Sequence, residues 1–209
     1  MTFPPRPPVV TREAWGADES LGLGAEGRER WPHADWPLQI LVVHHTAWPE
    51  PLGEPAEAVR RIHRLHASER GWGDIGYGYL IGPDGTIFEG RSTSRSRPGH
   101  APAGAHVTDH NAGSLGVVLL GGFMTSEPPP AALEALVAIL AFEASRAAID
   151  PTGTTVYVNP VTGRGAFVPC IATHRDLAPT ACPGDALQRR LPELRRATSA
   201  ASRSPSAPA

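Results

Sequence analysis

Near the C-terminal end, residues 173–185 read T-H-R-D-L-A-P-T-A-C-P-G-D and bring a histidine and a cysteine close together in a chain that has only two cysteines. His174 precedes Cys182 by eight residues, with Asp176 and Thr180 between them. An imidazole and a thiolate are the donors that a zinc ion takes, and Ala178-Pro179 supplies a turn that folds the cysteine back toward the histidine. Asp176 stands where it could accept the second N–H of an imidazole. Two ligands do not complete a site, so a third must come from elsewhere in the chain. The other cysteine, Cys170, reads as a buried free thiol on a strand leading into His174. A Cys170–Cys182 disulfide is the competing reading, and it would consume the residue best placed to bind a metal.

Residues 39–43, Q-I-L-V-V, are a short apolar, β-branched run that reads as a buried strand, and they end in His44-His45-Thr46. Alternation along a strand sends the two histidines to opposite faces, so one of them reaches a shared ion. A histidine at a strand end is more often a hydrogen-bonded core residue. The waiting His174 and Cys182 turn the reading toward a ligand.

The remaining elements must position these groups. Thr11 caps a short helical turn that carries Trp15 on the domain surface, and residues 18–37 read as loop. A helix over 55–69 has Ala58, Val59, Ile62 and Leu65 as its apolar stripe. His63 and His66 fall near its C-terminal end, where the helix dipole favours positive charge; His63 reads as structural. A glycine-rich turn follows at 71–76, then a hairpin of strands 77–81 and 86–89 around Pro83-Asp84-Gly85. Residues 90–108 read as a long functional loop and 114–120 as another buried strand. The next helix starts at Pro128 to Pro130 and turns Leu133, Leu136, Val137, Leu140 and Ala141 inward. Strands are expected at 154–158 and 167–173. The last helix, 183–196, turns Leu187, Leu191 and Leu194 inward.

The chain has 209 residues, 41% of them hydrophobic, a formal charge of −2 and arginine as its basic residue throughout. That size suits one domain with a real core. The organisation is an extended proline-rich segment at 1–10, a domain at 11–196 and a disordered Ser/Ala/Pro tail at 197–209. The near-neutral charge points away from nucleic acid as a partner, no apolar run reaches membrane-spanning length, and a monomer is expected. Residues 1–10 lack the apolar core of a signal peptide, which leaves retention in the cell, release by another route, or prior removal of a leader.

Five stretches occur in order: V-V-H-H-T-A, G-W-G-D-I-G-Y, G-P-D-G-T-I-F-E-G-R, G-A-H-V-T-D-H-N-A-G-S-L-G-V and T-H-R-D-L-A-P-T-A-C-P-G-D. Together they resemble the peptidoglycan recognition protein and type 2 N-acetylmuramoyl-L-alanine amidase family, which includes phage lysozyme-amidases. The resemblance implies a single α/β domain, a mixed central β-sheet flanked by helices, with zinc at one end of a substrate groove. It assigns His44, His174 and Cys182 as the metal ligands, Tyr77 as the catalytic tyrosine and Thr180 as a polar catalytic residue beside the cysteine.

Three protein ligands leave a fourth zinc position open, as catalytic sites do, and a water there is acidified to a pKa near ~7. The implied reaction is hydrolysis of the amide between the lactyl group of muramic acid and L-alanine in peptidoglycan, with zinc and Tyr77 stabilising the oxyanion. His66, His106 and Asn111 match stem-peptide contacts. Gly71-Trp72 and Arg91 match members that favour diaminopimelate stems, for which a guanidinium facing the extra carboxylate is the physical reason. The family's aromatic pair after that arginine is replaced here by Ser92-Thr93. Two other functions stay open: a module that binds peptidoglycan without cutting it, in which the ligand cysteine is typically absent, and a cytosolic muropeptide-recycling amidase. A wall-lytic enzyme of the endolysin kind, with antimicrobial action, acts at the cell wall and fits a leaderless start equally well.

Overall fold

The computed structural model describes residues 4–31, 33–48, 53–91 and 93–203. Helix α1 (Arg12–Trp15) is a single turn, capped by the Thr11 hydroxyl accepting from the Ala14 N–H. Trp15 is not on the surface; it is 1% exposed, and its indole N–H donates to the Glu89 carbonyl at 2.8 Å. Burial of so large an apolar ring outweighs the exposure of the short helix that carries it.

Next come β1 (Asp35–Pro37), β2 (Ile40–His45), α2 (Pro55–Arg64), β3 (Tyr79–Ile81), β4 (Ile87–Glu89), β5 (His100–Pro102) and β6 (Ser114–Leu119). They are followed by α3 (Pro130–Arg146), β7 (Thr154–Val158), β8 (Gly165–Pro169), β9 (Ile171–Thr173), α4 (His174–Leu177) and α5 (Asp185–Ser202). The central sheet has five strands in the order β4-β3-β6-β2-β9; only the β3–β4 pair is antiparallel, so the sheet is mixed, as expected. Strands β2 and β6 are buried along their whole length, which is why their sequences run apolar without alternation.

The two faces are covered differently. Leu41, Val43, Leu115 and Val117 meet α3 and α5 through Leu136, Leu140, Leu187 and Leu191. On the opposite face, Leu80 and Val118 meet Trp15, Val59 and Ile62 of α1 and α2, while Ile40 and Val42 meet Tyr157 and Val168 of the β7–β8 hairpin. This second face is thus roofed at its two sides by unrelated elements. Between them the sheet ends open into a groove.

Three expected boundaries shift. The strand expected at 167–173 is two strands, with β8 paired to β7 and β9 paired to β2 on either side of Cys170. The loops expected at 18–37 and 90–108 contribute a small antiparallel pair, β1 with β5. The tail does not begin at 197: α5 continues to Ser202 and buries Thr198 and Ser199. Its small residues let it lie close to α3, where the Ser202 hydroxyl donates to the Thr198 carbonyl at 2.8 Å and approaches that of Ala141 at 3.4 Å. Residues 204–209 of the expected tail and 1–3 of the N-terminal segment lie outside the described residues. Within that segment, Val10 bonds the backbone of Ile87 and Glu89 and so covers the β4 edge. No helix among the described residues is long and apolar enough to cross a membrane.

Candidate metal centre and groove

His44 lies at the end of β2 on the face it shares with Ile40 and Val42, and it is 1% exposed. His45 points the other way, toward Phe123, whose backbone N–H donates to its Nδ1 at 3.1 Å. His174 follows β9 directly and opens the one-turn helix α4. Because β2 and β9 are adjacent and parallel, their ends deliver both imidazoles to one place, with ring centroids 4.9 Å apart. The loop after α4 returns Cys182, whose Sγ is 3.7 Å from His44 Nδ1 and 3.4 Å from the His45 N–H. One donor atom from each of His44, His174 and Cys182 lies within 4.8 Å of the others.

The donor set suits a zinc ion. Burial, then the neighbouring imidazoles of His106, His174 and His45, hold His44 well below the usual histidine pKa, and burial lowers His174 as well. Both rings are therefore neutral, each with a lone pair to offer. Burial pushes the Cys182 thiol up to about 11, against the pull of the His45 N–H and Arg175. A buried thiol with so little cationic support becomes a thiolate when a divalent ion displaces its proton. Two imidazoles and a thiolate leave one tetrahedral position free.

Tyr77 lies beside the donors, its ring centroid 5.3 Å from that of His44 and 5.6 Å from that of His66. Burial, and then the charge of Cys182, raise its hydroxyl far above the usual phenol range, so it stays a neutral donor. The loop that carries it is clamped on both sides. Arg91 donates from Nε to the Ile75 carbonyl at 2.8 Å and from Nη2 to those of Trp72 and Asp74 at 3.2 Å. Arg12 holds the Asp74 carboxylate at 3.0 Å, with His63 Nε2 3.4 Å from the same oxygen.

The groove is lined by His66, Trp72, Tyr77, His106, Asn111 and His174, so most of the expected site residues converge. Arg91 is not among them. It is 5% exposed, its guanidinium is engaged by backbone carbonyls so that it braces the Tyr77 loop, and it lines the adjoining cavity that shares Trp31 with the groove. Thr180 makes a different contact from the one expected: its hydroxyl oxygen accepts from the Cys182 N–H at 3.2 Å, which orients the cysteine backbone. Asp176 bonds no imidazole; its carboxylate caps α4 by accepting from the Thr173 N–H at 2.9 Å. His66 and His63 are not favoured as cations at the helix end. Burial dominates the dipole and lowers both, His66 to about 4 with help from Arg70 and Arg91. Asn111 uses its side-chain oxygen internally, accepting from the N–H groups of His106 at 2.7 Å and Val107 at 3.0 Å.

Trp31, Thr46, Trp48 and Arg70 are among the groove residues that escaped sequence reasoning. Trp31 and Trp48 sit in stretches without periodicity; Arg91 lies over Trp31 and Arg61 over Trp48, and Trp48 also packs against the cluster of Trp15, Val59 and Ile62. Both cysteines are free, so the disulfide reading falls. Cys170 is buried between β8 and β9, and Cys170→Ser should leave zinc stoichiometry and turnover unchanged by metal analysis and kinetics.

A mixed sheet whose parallel strand ends present two imidazoles beneath a groove, with a loop thiol beside them, defines an α/β domain with three donors grouped so that they could hold a metal ion. The profile of the N-acetylmuramoyl-L-alanine amidase family (Amidase_2) matches residues 34–185, and the chain belongs to that family. Human N-acetylmuramoyl-L-alanine amidase is 34% identical over 187 residues, 87% of this chain but 27% of that protein, so the chain spans about a quarter of this relative. Peptidoglycan recognition protein 1 of Bos indicus is 32% identical over 87% of this chain and 80% of its own length. Among solved structures, Drosophila PGRP-LB superimposes with a TM-score of 0.65 at 28% identity, covering 88% of this chain and 92% of that one. A PGRP-LB tyrosine-to-phenylalanine variant in complex with tracheal cytotoxin gives a TM-score of 0.61 at 28% identity, over 85% of this chain and 89% of that one.

Proposed function

We propose that this chain is a zinc-dependent N-acetylmuramoyl-L-alanine amidase that hydrolyses the lactyl–L-alanine amide of peptidoglycan. The observation that carries the reading is the grouping of His44, His174 and Cys182 beside Tyr77 at the groove. Zinc held by those three residues supplies Lewis acidity, activating water near neutral pH and polarising the amide carbonyl. The protein's own contribution is placement. Tyr77 donates its O–H to the carbonyl oxygen as negative charge develops there, in a site dry enough to strengthen that bond. Thr180 holds the Cys182 backbone in register. Trp72, His66 and the segment at 105–111 form walls along which a stem peptide lies.

The substrate is of the diaminopimelate type in this reading, and Arg70 is the residue that recognises it. Arg70 is exposed, lines the groove and lies over the Trp72 ring at 5.0 Å. Its guanidinium has no hydrogen bond or ion pair among the described residues, unlike that of Arg91. Support also comes from relatives solved with tracheal cytotoxin, including PGRP-LE, whose ligand is described as monomeric diaminopimelic acid-type peptidoglycan. Arg70→Ala should lower kcat/KM on diaminopimelate walls by about tenfold, the worth of one charge-assisted contact of ~1.5 kcal/mol. On lysine walls the change should be small. Equal losses on both would remove Arg70 from specificity.

Mass spectrometry of fragments released from purified walls, with and without chelator, tests the activity itself. Free L-alanine amino ends that disappear with chelator are expected. Binding without release by the zinc-loaded protein would make it a recognition module. Action on intact walls, in preference to soluble muropeptides, is expected of an enzyme that works at the cell wall.

A further inference from the structure

His106 was expected to touch the stem peptide, yet both of its ring nitrogens face protein. Nδ1 lies 3.1 Å from His44 Nε2, and Nε2 lies 3.2 Å from the Ser114 hydroxyl. We propose that His106 and Ser114 are positioning residues that fix the tautomer of His44, so that its Nδ1 holds the lone pair offered to the metal. This rests on the reading of His44 as a ligand.

The direction of the chain follows from counting protons. A serine hydroxyl has one hydrogen, and that of Ser114 donates to the His110 carbonyl. Toward His106 Nε2 the same oxygen can only accept, so Nε2 carries the ring proton. His106 Nδ1 is then bare and accepts from His44 Nε2–H. His44 is left with its lone pair on Nδ1, the nitrogen 3.7 Å from Cys182 Sγ. One backbone carbonyl thus decides which face of a distant imidazole is basic, as outer partners of metal-bound histidines commonly do.

Two further features keep the chain in place. The His106 ring slots between two glycines: a Cβ on Gly104 would stand 2.6 Å from its Cδ2, and one on Gly116 would stand 2.7 Å from its Cγ. No side chain larger than hydrogen fits at either position without moving the ring. The His110 carbonyl belongs to a loop tied to the β7–β8 hairpin. Tyr157 donates to the Ala112 carbonyl at 2.7 Å, Asn159 to that of Asp109 at 2.6 Å, and the His110 ring stacks on Tyr157 at 4.9 Å.

The test uses the full chain in two measurements. Long-range proton–nitrogen NMR on the metal-free protein should show His44 and His106 as Nε2–H tautomers, and Ser114→Ala should mix them. Chelator competition should show zinc affinity falling about 10- to 100-fold in His106→Ala. His106→Asn, whose side-chain oxygen replaces Nδ1 as acceptor, should recover most of that loss. A His44 protonated at Nδ1, or a folded His106→Asn no better than His106→Ala, overturns the proposal. So does His106→Ala with unchanged zinc affinity and a raised KM, which would make His106 a substrate contact. Should His44→Ala keep stoichiometric zinc, the ligand reading fails instead, and the tautomers of the metal-free protein are still as measured.

Discussion

Cys182→Ala is expected to abolish zinc binding and amide hydrolysis together. The thiol is the one anionic donor among the three, and it sits 3.7 Å from His44 Nδ1 with the His45 N–H directed at it from 3.4 Å. Two neutral imidazoles remain in the variant, which lack the charge that offsets a dication's desolvation in a half-buried site. Turnover should fall by about 10⁴-fold or more, equivalent to ~5.4 kcal/mol of transition-state stabilisation. Cys182 is half-buried on a loop outside the main core, so the fold should persist by circular dichroism. Metal analysis after dialysis gives the decisive reading: one zinc per chain retained in the variant would mean that the ligand set is wrong.

Tyr77→Phe should separate what Cys182→Ala joins. The ring packs against His44 and His66, and phenylalanine preserves that packing while removing only the hydroxyl. Zinc affinity should stay within about twofold of the parent, and KM should change little. The loss falls on kcat, by about 10²- to 10³-fold, as for removal of one donor to a developing oxyanion. Because burial keeps the hydroxyl protonated well beyond neutral pH, the parent should show no loss of this donor up to at least pH ~10. A variant with full turnover would assign oxyanion stabilisation elsewhere.

These expectations depend on how the sequence encodes the site. The grouping of His44, His174 and Cys182 is partly legible because a strand end, a helix start and a turn each announce themselves locally; among nine histidines, the choice of His44 over His45 comes from the resemblance. The sheet is legible for a similar reason: β2 and β6 are mostly apolar runs of strand length, the pattern that a doubly covered strand carries. The features that escape a sequence reading depend on distant partners. Arg91 looks like a free cation in sequence; three carbonyls of a loop sixteen to nineteen positions away engage it. His106 looks like a ligand contact until His44 and Ser114 are seen on either side. The end of α5 carries Ser and Ala, a composition that also suits disorder, and only the nearness of α3 makes small size an advantage. Arg70 is silent in sequence because an arginine at a helix end has no local mark of use.

Beyond Arg64, helix α2 runs on into a π-helical turn, Leu65–Glu69, closed by the Arg70 N–H on the Leu65 carbonyl at 3.0 Å. Such a turn is an α-helix holding one additional residue. Deleting that residue would restore the i→i−4 bonding of an α-helix and leave the chain beyond it nearly in phase, because the wider turn has already absorbed it. His66 lies within this turn, and Arg70 and Trp72 follow it along the same groove. A one-residue deletion within the turn would therefore narrow this wall of the groove, by drawing the backbone onto the tighter α-helical path, while His66, Arg70 and Trp72 are all retained.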